Sequence, residues 1–333
     1  MRVAAYIGLI LGLAVAIALI AWRGFDTVLV AMEALGTGVF LLPLIYAPHI
    51  FGAATSWNLL FPPGRRPAFR VTLHAIWVGI SAETLLPLGG LVAEIVKARL
   101  LIRAAVRPAD AASLAVVDMT VQIVTLLFWG VIGVCALVDT STEDALFWPA
   151  VGGAGVLVIA VALLLYAQHA GLFGAFARRA VRRLNSKRWS GITDGAAHLD
   201  RTIREVYERP WRIVAAALIR CCTRGLMAVE IWAAAWLMDH PIAPDSAAMF
   251  VGVVGTIRAF AFIVPGGWGL QEGAYVLLGN LVGVPADIAL ALSLAGRARE
   301  LMLGVPALLS WQVIESRGLK GLIAGKTSEL DPA

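Results

Sequence analysis

The chain has 333 residues, 60% of them hydrophobic and 15% charged, with a formal net charge of +5 and a mean hydropathy of +0.83. Ordinary soluble domains hold about 45–50% apolar residues, so this composition excludes a soluble enzyme and predicts an all-α, polytopic membrane protein. Its three cysteines, Cys135, Cys221 and Cys222, lie inside apolar runs with no zinc spacing; they imply no disulfide framework or metal site and read as small packing residues.

The first apolar run, 3–22, is long enough to span a bilayer and lacks a cleavage pattern, so it reads as a retained first helix. The segment "FDTVLVAMEALG" carries Phe25, Val28, Leu29, Met32 and Leu35 at helical spacing and is expected to rest at the outer interface. Spans follow at 37–60 and 110–138, with an interrupted pair, 71–88 and 91–105, between them. After a span at 148–167 and a basic loop at 168–210 come a span at 211–238, a second interrupted pair (246–264 and 269–282) and a last span at 285–313. The second member of each pair is shorter than the ~20 residues a spanning helix needs. Each pair therefore reads as a re-entrant hairpin, giving six full spans and two hairpins. The turning points are Pro87, Gly89 and Gly90 in the first and Pro265, Gly266, Gly267 and Gly269 in the second.

Basic residues fix the expected orientation. Arg65, Arg66, Arg70, Arg103 and Arg107, the cluster from Arg178 to Arg188, and Arg317, Lys320 and Lys326 fall on one side if each pair returns the chain to its starting face. The other side receives "TSTEDA" and "MDHPIAPD". The positive-inside rule then puts both termini, the basic loop and the tail 317–333 in the cytoplasm. Anionic lipid is the expected contact of the loop "AFARRAVRRLNSKRW"; without a soluble domain, nucleic acid is not.

The two halves, 1–140 and 141–316, share a pattern. "PLGGLVAEIV" from Pro87 and "PGGWGLQEGA" from Pro265 each place a glutamate seven residues after the proline, at Glu94 and Glu272, and each then reaches Pro-Ala-Asp at Pro108 or Pro285. The order span, span, interrupted pair, span occurs twice. An odd number of crossings in the first half makes the halves inverted copies, an arrangement in which transporters build substrate sites from broken helices near the midplane.

Charges at membrane depth mark the expected site. A charged side chain there costs about 2.5–3.5 kcal/mol on insertion scales and normally faces a protein interior or a wet cavity. Glu83, Arg258 and Glu272 belong to the interrupted pairs; Asp118 lies ~14 Å into its helix. Arg220 and Arg224 sit one turn apart with Glu230 beyond, and the last span carries Arg297, Arg299 and Glu300. Glu94 is set aside as cytoplasmic. One reading pairs these groups so that they lock the bundle, Arg297 with Glu300 for instance. The other makes a hydrated cavity in which Arg220 and Arg224 hold a phosphate or carboxylate, while Glu272 and Asp118 carry protons or balance the arginines. The break at Pro265 frees backbone groups that only a wet or protein-lined site tolerates, and Glu272 is placed in the first turn of the next helix.

"ETLLPLGGLVAEIVKARLL" and "VPGGWGLQEGAYVLL" resemble motifs of the flippase-like family related to the transmembrane region of lysylphosphatidylglycerol synthases, and the resemblance is closest to its hopanoid-associated (HpnL-like) members. The first motif departs from the usual pattern, so the resemblance carries no role onto Glu94 or Arg99. The resemblance implies movement of an amphipathic lipid, hopanoid or anionic or aminoacylated phospholipid, in a bacterial inner membrane, with no cofactor. Two other classes stay open: an intramembrane enzyme acting on lipid head groups, for which no Ser/His/Asp set or HExxH exists, and a noncatalytic assembly factor of a lipid pathway.

Overall fold

The structure, a computed structural model, describes residues 33–86, 92–140, 201–260 and 269–328, with isolated positions at 30, 152, 155, 159 and 166; for 138–140, 260 and 316–328 the backbone alone is described. The predicted spans 3–22 and 148–167, the interfacial segment before residue 33, most of the basic loop, and the turning points Pro87, Gly89, Gly90, Pro265, Gly266 and Gly267 lie outside these residues.

Helices and no strand make up the described residues. A 3-10 turn, Gly36–Phe40, leads into α1 (Leu41–Leu60); then come α2 (Phe69–Leu85), α3 (Val92–Arg103) and α4 (Pro108–Thr140). A short helix at 201–207 precedes α5 (Pro210–Leu237). Next are α6 (Pro244–Met249), a π-helical turn (Phe250–Val254), α7 (Gly255–Phe260), α8 (Leu270–Leu281) and α9 (Ala286–Ser328). Pro108, Pro210 and Pro244 each open a helix, at the one helical position where a missing N–H costs nothing. The last helix runs on through Ser328, so the tail predicted from residue 317 begins as helix.

Both interrupted pairs keep their predicted place. In the first, arms of 17 and 12 residues pack on each other. In the second, a run of 6, 5 and 6 residues precedes an arm of 12. At 1.5 Å per residue a 12-residue arm is ~18 Å long, well short of a ~30 Å hydrocarbon layer. Ile76 and Leu101 of the first pair share one apolar cluster, and Met249 and Leu278 of the second share another. Each pair thus brings the chain back to the end where it started.

Those two clusters cap the bundle. One gathers the late residues of α1 and α9 with the early residues of α4 and α5; the other gathers the opposite ends of the same four helices. Charge divides the same way. Arg65, Arg66, Arg70, Arg99, Arg103 and Arg107 lie with the first cluster, whereas the other end holds Asp239, Asp245 and Asp287 and, among the described residues, no lysine or arginine. Between the clusters the polarity is that of a protein turned inside out. Phe51, Phe128, Leu218, Trp232, Trp236, Leu277 and Leu309 face outward, while Asp118, Lys97, Arg220, Arg297 and Arg299 are buried. Two helices, Glu33–Leu60 and Pro108–Leu137, are long and apolar enough to cross a membrane. Helices α5 and α9 have the length, but carry the inward charges.

Lipid tails give apolar helix faces no reason to associate, so close backbone approach and interhelical hydrogen bonds must hold the bundle. The Trp57 indole N–H donates to the Leu114 carbonyl at 3.1 Å, Trp77 to Leu303 at 3.0 Å and Trp129 to Cys221 at 2.9 Å, tying α1 to α4, α2 to α9 and α4 to α5. Helix α1 lies along α5, and the Ser56 hydroxyl donates to the Ala216 carbonyl at 2.9 Å. The π turn meets α4 backbone to backbone: a Cβ on Gly252 would lie 2.0 Å from the Trp129 carbonyl oxygen. The cysteines are not packing residues, since Cys135 and Cys222 are exposed on the bundle's outer surface and Cys221 is half-buried.

Gly252→Leu is expected to lose at least about 3 kcal/mol, because neither backbone can retreat from the new side chain. Gly273→Ala, where nothing lies within 4 Å of the added carbon, should be neutral or gain up to about 1 kcal/mol. Thermal unfolding in detergent reads both.

Candidate functional site

Six basic and six acidic groups occupy the layer between the apolar clusters, five of each in two networks. In the first, the Lys97 ammonium of α3 donates to Glu94 Oε1 at 2.6 Å and to Asp118 Oδ2 at 2.8 Å, and Arg220 of α5 donates to Asp118 Oδ1 at 2.5 Å. Gln122, one turn beyond Asp118, donates to both carboxylates at 2.9 and 3.1 Å. Lys97 also stands 5.4 Å from the centre of the Trp57 ring. It fits because Gly79 on α2 has no side chain; a Cβ there would come within 2.7 Å of the lysine stem.

The second network joins α5, α7, α8 and α9. Arg258 donates to Glu300 at 2.6 Å and to Gln271 at 3.0 Å; Arg297 donates to Glu272 and to Glu300, each at 3.1 Å; Arg299 donates to Glu230 at 3.2 Å. The Arg299 guanidinium lies 3.8 Å over the Tyr46 ring of α1, close enough for a cation–π contact. Glu272 also accepts the Gly269 backbone N–H at 2.7 Å. It caps α8 from the first turn, as the sequence predicts, and Gly269 adopts φ +80°, a conformation natural only to glycine.

Between the networks lies a cavity of about 640 Å³, inside the range of roughly 300–1,000 Å³ common for small-molecule sites. Its wall has two characters. Leu42, Ile80, Met119, Leu126, Met227 and Val251 form an apolar part, and Glu83, His49, Arg224, Arg258, Glu230 and Glu300 a polar one. Arg224 and Glu83 stand apart from the other charged groups. Both line the cavity, yet neither makes a hydrogen bond or ion pair among the described residues. Arg224 Nε is buried without a partner, and one terminal nitrogen passes over Gly255 on α7, 2.8 Å from where a Cβ would stand.

Of the nine predicted site residues, Arg220, Arg224, Arg258, Arg299, Glu300 and Glu83 line this cavity. Asp118, Glu272 and Arg297 stand behind it as pairing partners. Pairing accounts for most of the charges, including the Arg297–Glu300 couple, so the expectation that Arg220 holds a ligand jointly with Arg224 meets a competitor already in place in Asp118. Glu94, set aside as cytoplasmic, is part of the wall and the network; its helix turns inward at that residue. Lys97 was missed, although its i,i+3 spacing from Glu94 in "AEIVKARLL" is the signal of a pair. Arg99 of the same motif points away, 62% exposed, to Glu315 at the basic end. There partial burial acts to raise the Glu315 carboxyl, but the Arg99 hydrogen bond and the Arg99 and Arg103 charges outweigh it and hold the group below the usual carboxylate range.

An apolar exterior, a paired ionic interior and an amphipathic cavity define a helical membrane protein. The family model described as the lysylphosphatidylglycerol synthase TM region matches residues 9–307, and the chain belongs to that family. No curated protein and no solved structure matches it.

Asp118→Asn takes from buried Arg220 its carboxylate and from Lys97 one of its two, and should cost about 3–5 kcal/mol, the penalty for breaking a buried pair. Arg99→Ala opens an exposed pair and should cost under about 1 kcal/mol. Unfolding midpoints of the purified variants check the contrast.

Proposed function

We propose that this protein moves an amphipathic lipid with an anionic head group between bilayer leaflets, without changing it chemically. The observation that carries the reading is Arg224: a cation on the cavity wall, facing apolar residues, with no carboxylate bonded to it among the described residues. A guanidinium in that position suits a phosphate diester, which it grips with two parallel N–H donors, while Leu42, Met119, Met227 and Val251 offer the tail an apolar path. Membership of a family named for the membrane region of a phospholipid-modifying synthase supports a lipid cargo.

The inverted repeat belongs to this proposal. In it α1 corresponds to α5, the pair α2–α3 to the run from α6 to α8, and α4 to α9. The contacts support it: α1 packs on α5, α4 on the first arm of the second pair, and α9 on the first arm of the first. So do the matching arms and the gathering of basic residues at one end, which the positive-inside rule assigns to the cytoplasm of a bacterial inner membrane. Both termini and the basic loop then face anionic lipid on that side. Affiliation with the hopanoid-associated members makes a hopanoid the second cargo to try.

In proteoliposomes with tail-labelled phosphatidylglycerol, the wild type should speed exchange between leaflets and return the lipid with its mass unchanged. Arg224→Ala should slow exchange about ten- to a hundredfold, the equivalent of one charged hydrogen-bonding group. Gly255→Val, which pushes the guanidinium off its seat, should do the same. Wild-type rates in Arg224→Ala overturn the reading. Competition by inorganic phosphate as strong as that by short-chain phosphatidylglycerol points instead to a soluble anion.

A further inference from the structure

The charged layer balances. Lys97, Arg220, Arg224, Arg258, Arg297 and Arg299 face Glu83, Glu94, Asp118, Glu230, Glu272 and Glu300, six formal positive charges against six negative on described residues; Lys97, Asp118, Arg220, Glu230, Arg297 and Arg299 are buried, Glu83 is exposed where it lines the cavity, and the others are partly buried. A chamber of zero net charge has nothing to spare for an anion. If Arg224 receives a head-group phosphate, one negative charge is left in excess in a region of low dielectric, where excess charge is strongly penalised.

Five of the six carboxylates accept from a cation. Glu94 and Asp118 accept from Lys97, Glu230 from Arg299, Glu272 from Arg297, and Glu300 from Arg258 and Arg297. Protonating any of these breaks a charged hydrogen bond to a buried or half-buried cation. Glu83 accepts from no one among the described residues, and it opens on the same cavity as Arg224. Around the same cavity it is faced by Tyr46 and His49 of α1, Glu94 and Lys97 of α3, Arg220, Arg224 and Glu230 of α5, Arg258 of α7, and Arg299 and Glu300 of α9. Of these, only Arg224 and His49 make no charged contact that already fixes them.

From this we infer that Glu83 is a proton-coupling site: it takes up one proton when an anionic head group binds Arg224, and releases it when the head group leaves. The inference rests on the anion-binding reading of Arg224 and names the ion that travels with the lipid. Bringing a second negative charge into a shared site favours the protonated form of the carboxylate not held by a cation, and the Glu83 proton replaces the charge that Arg224 no longer offsets. Lipid and proton together leave the chamber as neutral as they found it, so a proton gradient is able to drive the lipid uphill without a nucleotide.

Titration calorimetry of the purified full chain with dihexanoyl phosphatidylglycerol, in two buffers of different ionisation enthalpy, counts the protons taken up. The wild type should take up about one proton per lipid, and on the alkaline side its affinity should fall about tenfold per pH unit. Glu83→Gln should bind with no proton uptake and an affinity independent of pH; the side chain makes no contact whose loss would unfold the protein. Glu83→Asp, which keeps a carboxyl, should retain the uptake. Binding by the wild type without proton uptake overturns the coupling while leaving the Arg224 site standing. Uptake that survives in Glu83→Gln and disappears in His49→Asn overturns the assignment to Glu83. Binding unchanged in Arg224→Ala overturns the site on which both rest.

Discussion

An ion placed in hydrocarbon must find its counter-ion within the protein, and for Asp118 the counter-ions come from two other helices. The side chain is fully buried and joins Lys97 of a hairpin arm to Arg220 of a long helix across the bundle. A buried ion pair is a poor source of net stability in water-soluble proteins, where apolar packing does as well or better. Here apolar packing is available to any helix from the lipid itself, so it distinguishes no arrangement from another. Ion pairs do: only one docking of α3 and α5 around α4 leaves Asp118, Lys97 and Arg220 all satisfied. The ionic layer therefore specifies the bundle more than it strengthens it.

The second network does a similar job with a different distribution of sign. In the first, two cations share Asp118, with Glu94 as a second acceptor for Lys97; in the second, Glu300 is shared by Arg258 and Arg297, while Arg299 reaches Glu230. Tyr46 joins α1 to the second by presenting its ring to Arg299. The cavity sits where these two sets meet, and its polar wall is the surface they leave over. Binding chemistry and structural chemistry thus draw on one population of charges, which is why nearly every arginine in the layer is already committed and Arg224 stands out.

Much of this was legible in the residues alone. Helix starts at Pro108 and just after Pro285, the place of Glu272 in a first helical turn and the inward turn of the charges all derive from hydropathy, proline placement and the cost of charge in lipid. What pattern reading missed has a physical cause. Glu94 and Lys97 lie on a 12-residue arm, where Lys97 meets Asp118 of the next helix, so no spacing within the arm reveals their depth. The division of Arg220 and Arg224 into one paired and one unpaired group depends on Asp118, 102 positions earlier in the chain than Arg220, and no local spacing reveals it. The cysteines were misjudged because a small residue suits the lipid-facing side of a helix as well as the packed side.

The wide turn at Phe250–Val254 sets the angular phase of α7. A π turn holds one residue more than an α turn, and one residue is ~100° of rotation about the helix axis. Without the extra residue, Gly255 and Arg258 would present themselves about a quarter-turn away. Arg224 would lose the bare patch of backbone it lies across, and Glu300 the guanidinium it shares with Arg297. The orientation of the cavity wall is thus decided upstream, in a stretch of phenylalanine, valine and glycine that touches neither charge.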